Sequence, residues 1–263
     1  MERGRAMRTH LILGTLLGAA LALVGPLAGE GRGDFELHGD EQMTVDTSYY
    51  EGGLYDQSRA RIVSGGSVTF SLCAYHFSAV DISGNGYVKA HHAYNSSTLT
   101  ISGGSVDGLV ATDTSAVDIS GGSVNYTLHA YNCSTVDISG GSVGDLLASD
   151  SSAVDISGGS VAVLRANSSS AVDISGGSVV DLYAYDTSTV TFHARDFSVA
   201  SGLSLDGDRV QGTGILSGEW FDGKRWAINI RTNDATATIL AIPEPATLGL
   251  LAVGGVLALR RRR

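Results

Sequence analysis

Apolar and polar residues alternate in short runs along the middle of this chain, and the runs recur at a nearly constant spacing. Each run leads into the tetrapeptide Ser-Gly-Gly-Ser or, in one copy, into Ser83-Gly84-Asn85-Gly86-Tyr87, and successive copies start 18 or 19 residues apart. The tetrapeptides begin at Ser64, Ser102, Ser120, Ser139, Ser157 and Ser175. Self-similarity at a fixed short period predicts a protein built from stacked repeats.

One copy predicts two or three short strands. In the copy that contains Ser157, Val154 and Ile156 alternate with polar or small residues, which is the period-2 pattern of a strand with one buried face. The glycine pair then favours a turn, and Val161 and Leu164 mark the next inward-facing stretch. Because one copy has too few apolar residues to form a core, the copies are expected to stack in register, Val on Val and Ile on Ile.

The pattern therefore predicts an all-β fold, a single-stranded parallel β-helix of about 8 coils, with its repeats at residues 64–192. A leucine-rich repeat needs a helical half, and a propeller blade needs ~40–45 residues. We favour a right-handed helix, because the left-handed hexapeptide type places apolar residues at every sixth position. One-residue insertions at Val68–Ala74 and Val124–Ala130, and inside the turn of the second copy, are expected to form bulges.

The residues that flank the repeats are predicted to cap the stack, because a solenoid must cover its two ends. Residues 30–63 contain a degenerate copy of the repeat and form the N-terminal cap. Residues 193–241 form a short antiparallel C-terminal cap, in which Asp222-Gly223-Lys224 is the turn of a β-hairpin and residues 236–241 add a third strand. Trp220 and Trp226 flank this turn and are expected to cover the last coil.

Both ends of the chain have the composition of sorting signals. Residues 1–29 combine a basic start with a long apolar run and a small-residue stretch, which is the pattern of a secretory signal peptide. In residues 242–263 a Pro-Glu-Pro motif precedes the apolar run Ala246–Leu259, which as a helix is ~21 Å long and therefore suits a temporary membrane anchor. The motif residues of this segment are Pro243, Glu244, Pro245, Arg260, Arg261, Arg262 and Arg263.

This order of a Pro-Glu-Pro motif, a short transmembrane helix and a terminal arginine cluster resembles the PEP-CTERM sorting signal of Gram-negative bacteria. The resemblance implies that an exosortase, together with signal peptidase, processes the chain during export. It also implies a cell-surface or extracellular location with a transient anchor in the inner membrane. The repeats resemble autotransporter passengers and pectin-lyase-like β-helices at the level of the fold only, and a fold does not specify a function.

The composition is acidic and rich in glycine. The net charge of −10 includes seven arginines of the two terminal segments, and residues 30–242 carry 10 basic and 25 acidic residues, a net charge of −15. Such a surface excludes a nucleic-acid partner. The 35 glycines follow no Gly-X-Y period, which excludes collagen, and only 3 prolines argue against a disordered tract.

Stacking converts each repeat position into a column of side chains about 4.8 Å apart. One strand position forms the column Asp81, Thr100, Asp118, Asp137, Asp155, Asp173 and Thr191. Neighbouring carboxylates repel one another, so Asp118, Asp137, Asp155 and Asp173 are either ligands of Ca²⁺ or a charged face that blocks lateral association of the sheet. No other cofactor is expected.

Aromatic and small polar residues form further columns. Tyr75, Tyr94, Tyr131 and Tyr185 share one position, where exposed rings either contact a glycan or stabilise the sheet by packing on one another. Serines from Ser78 to Ser188 occupy a corner position. Two residues earlier stand His76, Asn95, Asp113, Asn132, Asp150, Ser168 and Asp186. Both polar columns are expected to satisfy backbone groups of the turns.

The repeats offer little for catalysis. Their basic residues are Lys89 and Arg165, four coils or ~19 Å apart, whereas a polysaccharide lyase needs acidic and basic side chains on one face. Cys73 and Cys133 lie three coils or ~14 Å apart, too far for a disulfide. We therefore predict that the chain is not an enzyme and that both thiols are free.

The favoured function is that of a structural or adhesive protein of the cell surface or extracellular matrix. Two alternatives remain: a carbohydrate-binding surface module that uses the tyrosine column, and a polysaccharide lyase-like enzyme. Extracellular polysaccharide is the expected partner outside the cell.

Overall fold

The structure is a computed structural model that describes residues 33–232 and 237–243. In this part of the chain all regular elements are β-strands, and parallel strands stack into a solenoid of about 9 turns. The predicted β-helix is thereby confirmed. The number of turns is close to the predicted count of about 8 coils. The predicted signal peptide and residues 244–263 lie outside the described residues, and no described helix is long and apolar enough to cross a membrane.

The first coils consist of short parallel strands. They are β1 (Phe35–Leu37), β2 (Gln42–Val45), β3 (Ser48–Leu54) and β4 (Arg59–Ile62). β2 pairs with β4 and β1 pairs with β3 in parallel, as the degenerate copy predicted. The strands of the repeats are β5 (Ser67–Ala74), β6 (Ala79–Ile82), β7 (Tyr87–Ala93), β8 (Thr98–Ala111), β9 (Ala116–Ala130), β10 (Thr135–Ile138), β11 (Ser142–Ala148), β12 (Ala153–Ile156), β13 (Ser160–Ala166), β14 (Ala171–Ile174), β15 (Ser178–Ala184) and β16 (Thr189–Ala200).

Equivalent residues of successive coils pair with one another, so the core consists of columns. Val154 pairs with Val136 and Val172, and Ile156 pairs with the matching isoleucines of the same two coils. In β13 the inward residues are Val161, Leu164 and Ala166, all at most 1% exposed. Two successive outward residues separate Val161 from Leu164, so the strand bends there and each coil closes around a shared core of Val, Ile, Leu and Ala.

The Ser-Gly-Gly-Ser bends require glycine because successive coils approach closely. A Cβ atom on Gly158 would lie 2.1 Å from the carbonyl oxygen of Ser139 in the preceding coil. The next residue, Gly159, has a φ of 68°, in the left-handed region. The glycine pair thus permits both the close approach and the sharp turn.

The opposite corner of each coil contains a left-handed residue that is not glycine. Residues at this position are Asp56, His76, Asn95, Asp113, Asn132, Asp150, Ser168 and Asp186, with φ between 53° and 63°. Asn and Asp tolerate this conformation best. The carboxylate of Asp113 accepts a hydrogen bond from the backbone N–H of Asn95 (3.1 Å), so this column does satisfy turn groups as predicted.

The serine column differs from the prediction. Its members were predicted to satisfy turn groups, but they are buried, with exposures of at most 1%. Among the described residues of this column, only Ser58 and Ser188 bond to a turn: the Tyr55 N–H donates to the Ser58 hydroxyl (3.1 Å), and the Ser188 hydroxyl donates to the Tyr185 carbonyl (2.7 Å). The hydroxyls of the serines between them have no hydrogen-bond partner among the described residues; they are Ser78, Ser97, Ser115, Ser134, Ser152 and Ser170. The strand that follows each of these serines directs its side chain into the core, so the hydroxyl does not reach the turn.

Bulges absorb the two predicted insertions at Val68–Ala74 and Val124–Ala130. The pairing of β5 with β7 shifts between Val68 and Leu72, and the pairing of β8 with β9 shifts after Val106. The bulges project Phe70 (47% exposed) and Tyr126 (68% exposed) from the sheet.

The C-terminal cap comprises β17 (Leu203–Asp206), β18 (Arg209–Glu219), β19 (Arg225–Arg231) and β20 (Thr238–Pro243). β18 and β19 form the predicted antiparallel hairpin. The third strand begins and ends later than the predicted 236–241 and therefore runs across the expected boundary between the cap and the sorting segment. β20 pairs in parallel with β16, and β19 pairs in parallel with β15, so both continue the stack of coils.

Tryptophans cover the last coil, as the sequence predicted. Trp226 stacks on the fully buried Phe192 with ring centroids 5.4 Å apart, and Trp220 stacks on Trp226 at 4.6 Å. The Nε1–H of Trp220 donates to the Gly177 carbonyl (2.9 Å). The hairpin is thus held against both the core and the glycine bends.

Candidate functional site

The stack places the predicted aspartates in one row on an outer face. Asp137 pairs with Asp118 on one side and with Asp155 on the other, and Asp155 pairs with Asp173. All four side chains are exposed. The row extends along the solenoid, with one carboxylate on each coil.

Among the described residues, basic side chains contact this column at its ends rather than along it. Arg59 forms an ion pair with Asp81 (2.6 Å), and His193 Nε2 lies 3.4 Å from a carboxylate oxygen of Asp173. Between these ends, the pKa of Asp155 is raised, first by partial burial and then by the negative charges of its two aspartate neighbours. Carboxylate repulsion is therefore a real cost of this column.

A row of carboxylates is not a convergent metal site. Across residues 33–232 and 237–243, no group of three His, Cys, Asp or Glu side chains is placed to hold a metal ion. Calcium binding by Asp118, Asp137, Asp155 and Asp173 thus stays a prediction without a coordination geometry behind it.

The tyrosine column divides into a stacked ladder and two separate rings. Tyr55, Tyr75 and Tyr94 stack at centroid distances of 5.2 and 4.9 Å with planes within 6°, and His38 stacks on Tyr55 at 4.7 Å. Because neighbouring rings cover both faces of Tyr75, a sugar ring has no free face there. Tyr55 and His38 extend the ladder beyond the four predicted tyrosines, because the degenerate N-terminal copies place them in the same column.

Tyr131 and Tyr185 stand outside the ladder. The neighbouring positions in the column of Tyr131 are occupied by the small residues Thr112 and Ser149. The hydroxyl of Tyr131 lies 3.1 Å from His129 Nδ1, which orients the ring. Tyr185 is 36% exposed. Of the four predicted tyrosines, these two have no stacked tyrosine in the adjacent coils.

Three further kinds of reactive group occur in the repeats: a tyrosine phenol with a raised pKa, a paired arginine and two free thiols. Burial raises the pKa of Tyr75 to about 12, with the nearby Cys73 as the next cause, so this phenol stays protonated near neutral pH. Arg165 forms an ion pair with Asp145. Cys73 and Cys133 are free thiols, as predicted.

His91, an ionisable residue, lies in the inward column that leucines such as Leu164 mark in the sequence. His91 is fully buried and pairs with Leu72 and Leu109, so it occupies the leucine column. Burial, followed by the neighbouring His92, lowers its pKa to about 3, and the nearby backbone of Leu72 opposes this shift to a smaller extent. The imidazole is therefore neutral inside the core.

Comparison with known proteins informs only the end of the chain. Comparison with curated proteins finds no match, and comparison with solved structures finds none either. The family model of the PEP-CTERM protein-sorting motif matches residues 241–263, which include the Pro-Glu-Pro motif and the arginine cluster. The chain therefore carries a PEP-CTERM protein-sorting motif, which implies processing by an exosortase, export and sorting to the cell surface.

Proposed function

We propose that this protein is a structural or adhesive component of the bacterial cell surface or extracellular matrix and that it performs no chemical reaction. The observation that carries the proposal is the sorting motif placed directly after a solenoid of nearly interchangeable coils. A stiff stack with identical faces suits repeated weak contacts along its length.

The sorting half of this proposal is tested in the native host. We expect the surface form to lack Arg260–Arg263 when its C-terminus is sequenced, and the form from a strain without exosortase to keep them in the membrane fraction. A Glu244→Ala variant should behave as the strain without exosortase does, while Glu219→Ala, outside the motif, should be sorted normally. An intact arginine tail on the surface form would contradict processing.

The proposal that the protein is structural and performs no reaction is tested in two ways, by an enzyme assay on purified protein and by deletion in the host. A lyase assay on acidic polysaccharides, with and without Ca²⁺, should show no turnover, and measurable turnover would replace the structural role by the lyase alternative. A strain in which the gene is deleted should form a less cohesive biofilm than the wild type. Unchanged cohesion would argue against a structural role.

A second candidate function is glycan binding at the tyrosine column, which Tyr131 and Tyr185, the two predicted tyrosines outside the stacked ladder, favour. On a glycan array, Tyr131→Ala should abolish binding, whereas Tyr75→Ala, inside the covered ladder, should leave it unchanged. Equal binding by both variants would exclude this column.

A further inference from the structure

A groove separates the last glycine bends from the tip of the cap hairpin. It has a volume of about 600 Å³. Serines and glycines of three successive bends line one wall of the groove. The hairpin lines the other wall with Trp220, Phe221, Asp222, Lys224 and Arg225. The size suits a short oligomeric ligand rather than a single ion.

The hairpin wall of this groove is preorganised. The Trp220 backbone N–H donates to the Lys224 carbonyl (2.9 Å), and the Gly223 N–H donates to the Trp220 carbonyl (2.9 Å). The bond from the Trp220 indole to Gly177 fixes this tip to the opposite wall. A ligand would thus meet a site that needs little ordering on binding.

The coil wall presents hydroxyl groups at the spacing of the solenoid. Ser139, Ser157 and Ser175 occupy the same position of three successive coils and are exposed. Their side chains make no hydrogen bond to another residue in the part of the chain described. Donors and acceptors repeated about every 4.8 Å suit a ligand that itself carries hydroxyls at regular intervals.

The hairpin wall adds a positive charge and an aromatic ring. Lys224 is paired with Asp222 (2.7 Å), which lowers the pKa of Asp222 and keeps that carboxyl ionised. Arg225 forms no ion pair within the described residues, so the charged side chains that line the groove sum to one positive charge. Glu219, the residue opposite Arg225 in the hairpin, forms its ion pair with Arg195 instead. Phe221 is 41% exposed beside it.

We infer that this groove binds a short acidic oligosaccharide, with Arg225 on a sugar carboxylate, the serines on sugar hydroxyls and Phe221 against a ring face. A guanidinium recognises a carboxylate through two parallel hydrogen bonds, and an aromatic face packs on the apolar face of a sugar. The inference goes beyond the proposed structural role, which requires no defined ligand site.

The test uses the processed surface form and two probes, trimannuronate and the uncharged maltotriose, in titration calorimetry. We expect trimannuronate to bind at least tenfold more tightly than maltotriose, with Arg225→Ala weakening trimannuronate binding about tenfold and Phe221→Ala weakening both probes. Lys89→Ala, a cation on a distant coil, is the matched control and should bind as the wild type does.

Three results would overturn the inference: equal affinity for the two probes, wild-type affinity in Arg225→Ala, or loss of binding in Tyr131→Ala instead. Because Arg225 is exposed at the start of β19, its replacement should preserve the fold, which circular dichroism checks. If Arg225→Ala does not fold, Arg225→Gln, which keeps the stem and removes the charge, decides in its place. Sorting of the chain is unaffected by any of these outcomes.

Discussion

At the residue scale, His91 shows that the stacked core tolerates a polar ring between apolar neighbours. Its neighbours in the column are Leu72 and Leu109, and neither ring nitrogen has a hydrogen-bond partner among the described residues. A buried polar group without a partner costs ~1–3 kcal/mol. The apolar coils that stack on both sides contribute the stability that offsets this cost.

We predict that His91→Leu stabilises the protein by ~1–3 kcal/mol at neutral pH, because leucine fills the position as it does in neighbouring coils. The folded-state pKa of about 3 lies below the unfolded value of 6.5, so the unfolded chain takes up the proton first. Wild-type stability should therefore fall as the pH drops from 6.5 towards 3, by at most about 1.4 kcal/mol per pH unit from this group.

Urea unfolding at a series of pH values measures this effect. The gain from His91→Leu should grow on acidification, while His129→Gln, at an outward position, should not show that growth. A pH-independent gain would mean that folding does not lower the pKa of His91.

Asp155 lies between two other aspartates of the carboxylate row, Asp137 and Asp173. Its raised pKa means that ionisation costs the folded state more than the unfolded one, so the penalty appears as the pH rises above the ordinary aspartate value. We predict that Asp155→Asn stabilises the protein by about 0.2–0.5 kcal/mol at pH 7 and not at pH 3. Asp81→Asn, which removes the partner of Arg59, should destabilise it at pH 7. Thermal unfolding at both pH values compares the two, and equal signs would refute the repulsion.

At the element scale, the glycine bend determines how closely the coils stack. The backbone of one bend occupies the space that a side chain of the next would need, so the two strand segments of a coil keep their register only with glycine between them. This requirement explains why the bends vary less than the outward strand positions.

We predict that Gly158→Ala destabilises the solenoid by ~1–3 kcal/mol or more, because its Cβ would overlap the Ser139 carbonyl. Gly108→Ala is the matched control: its nearest neighbour, Thr127 Oγ1, would be 3.9 Å away, and its φ lies outside the left-handed region. Urea midpoints measure both. Equal effects would show that chain entropy rather than close approach selects glycine.

At the scale of the whole molecule, the caps determine whether the stack ends. β19 and β20 occupy the positions of a next coil, and the two stacked tryptophans close the core over Phe192. Without this closure the last coil would expose apolar surface and free strand edges, which promote association. The same hairpin forms one wall of the groove, so capping and the inferred site share their residues.

We predict that Trp226→Ala costs ~3–5 kcal/mol locally. In hydrogen exchange, the cap and β16 should lose protection while β6 to β12 keep theirs, because each coil contacts only its neighbours. Phe221→Ala, an exposed side chain of the same hairpin, should leave protection unchanged. A uniform loss along all coils would indicate that the solenoid unfolds as one unit.

The sequence by itself determined the repeat, its inward positions, the glycine bends, the bulges, the hairpin and the sorting motif. These features are local or periodic, so they can be recognised within a single copy, as at the inward residue Val154 and the bend residue Gly158. It did not determine the stacked ladder of Tyr55, the buried His91 or the groove beside Arg225. Only the tertiary structure decided these, because each depends on side chains that meet from different coils, as Trp220 meets Gly177 from 43 residues away.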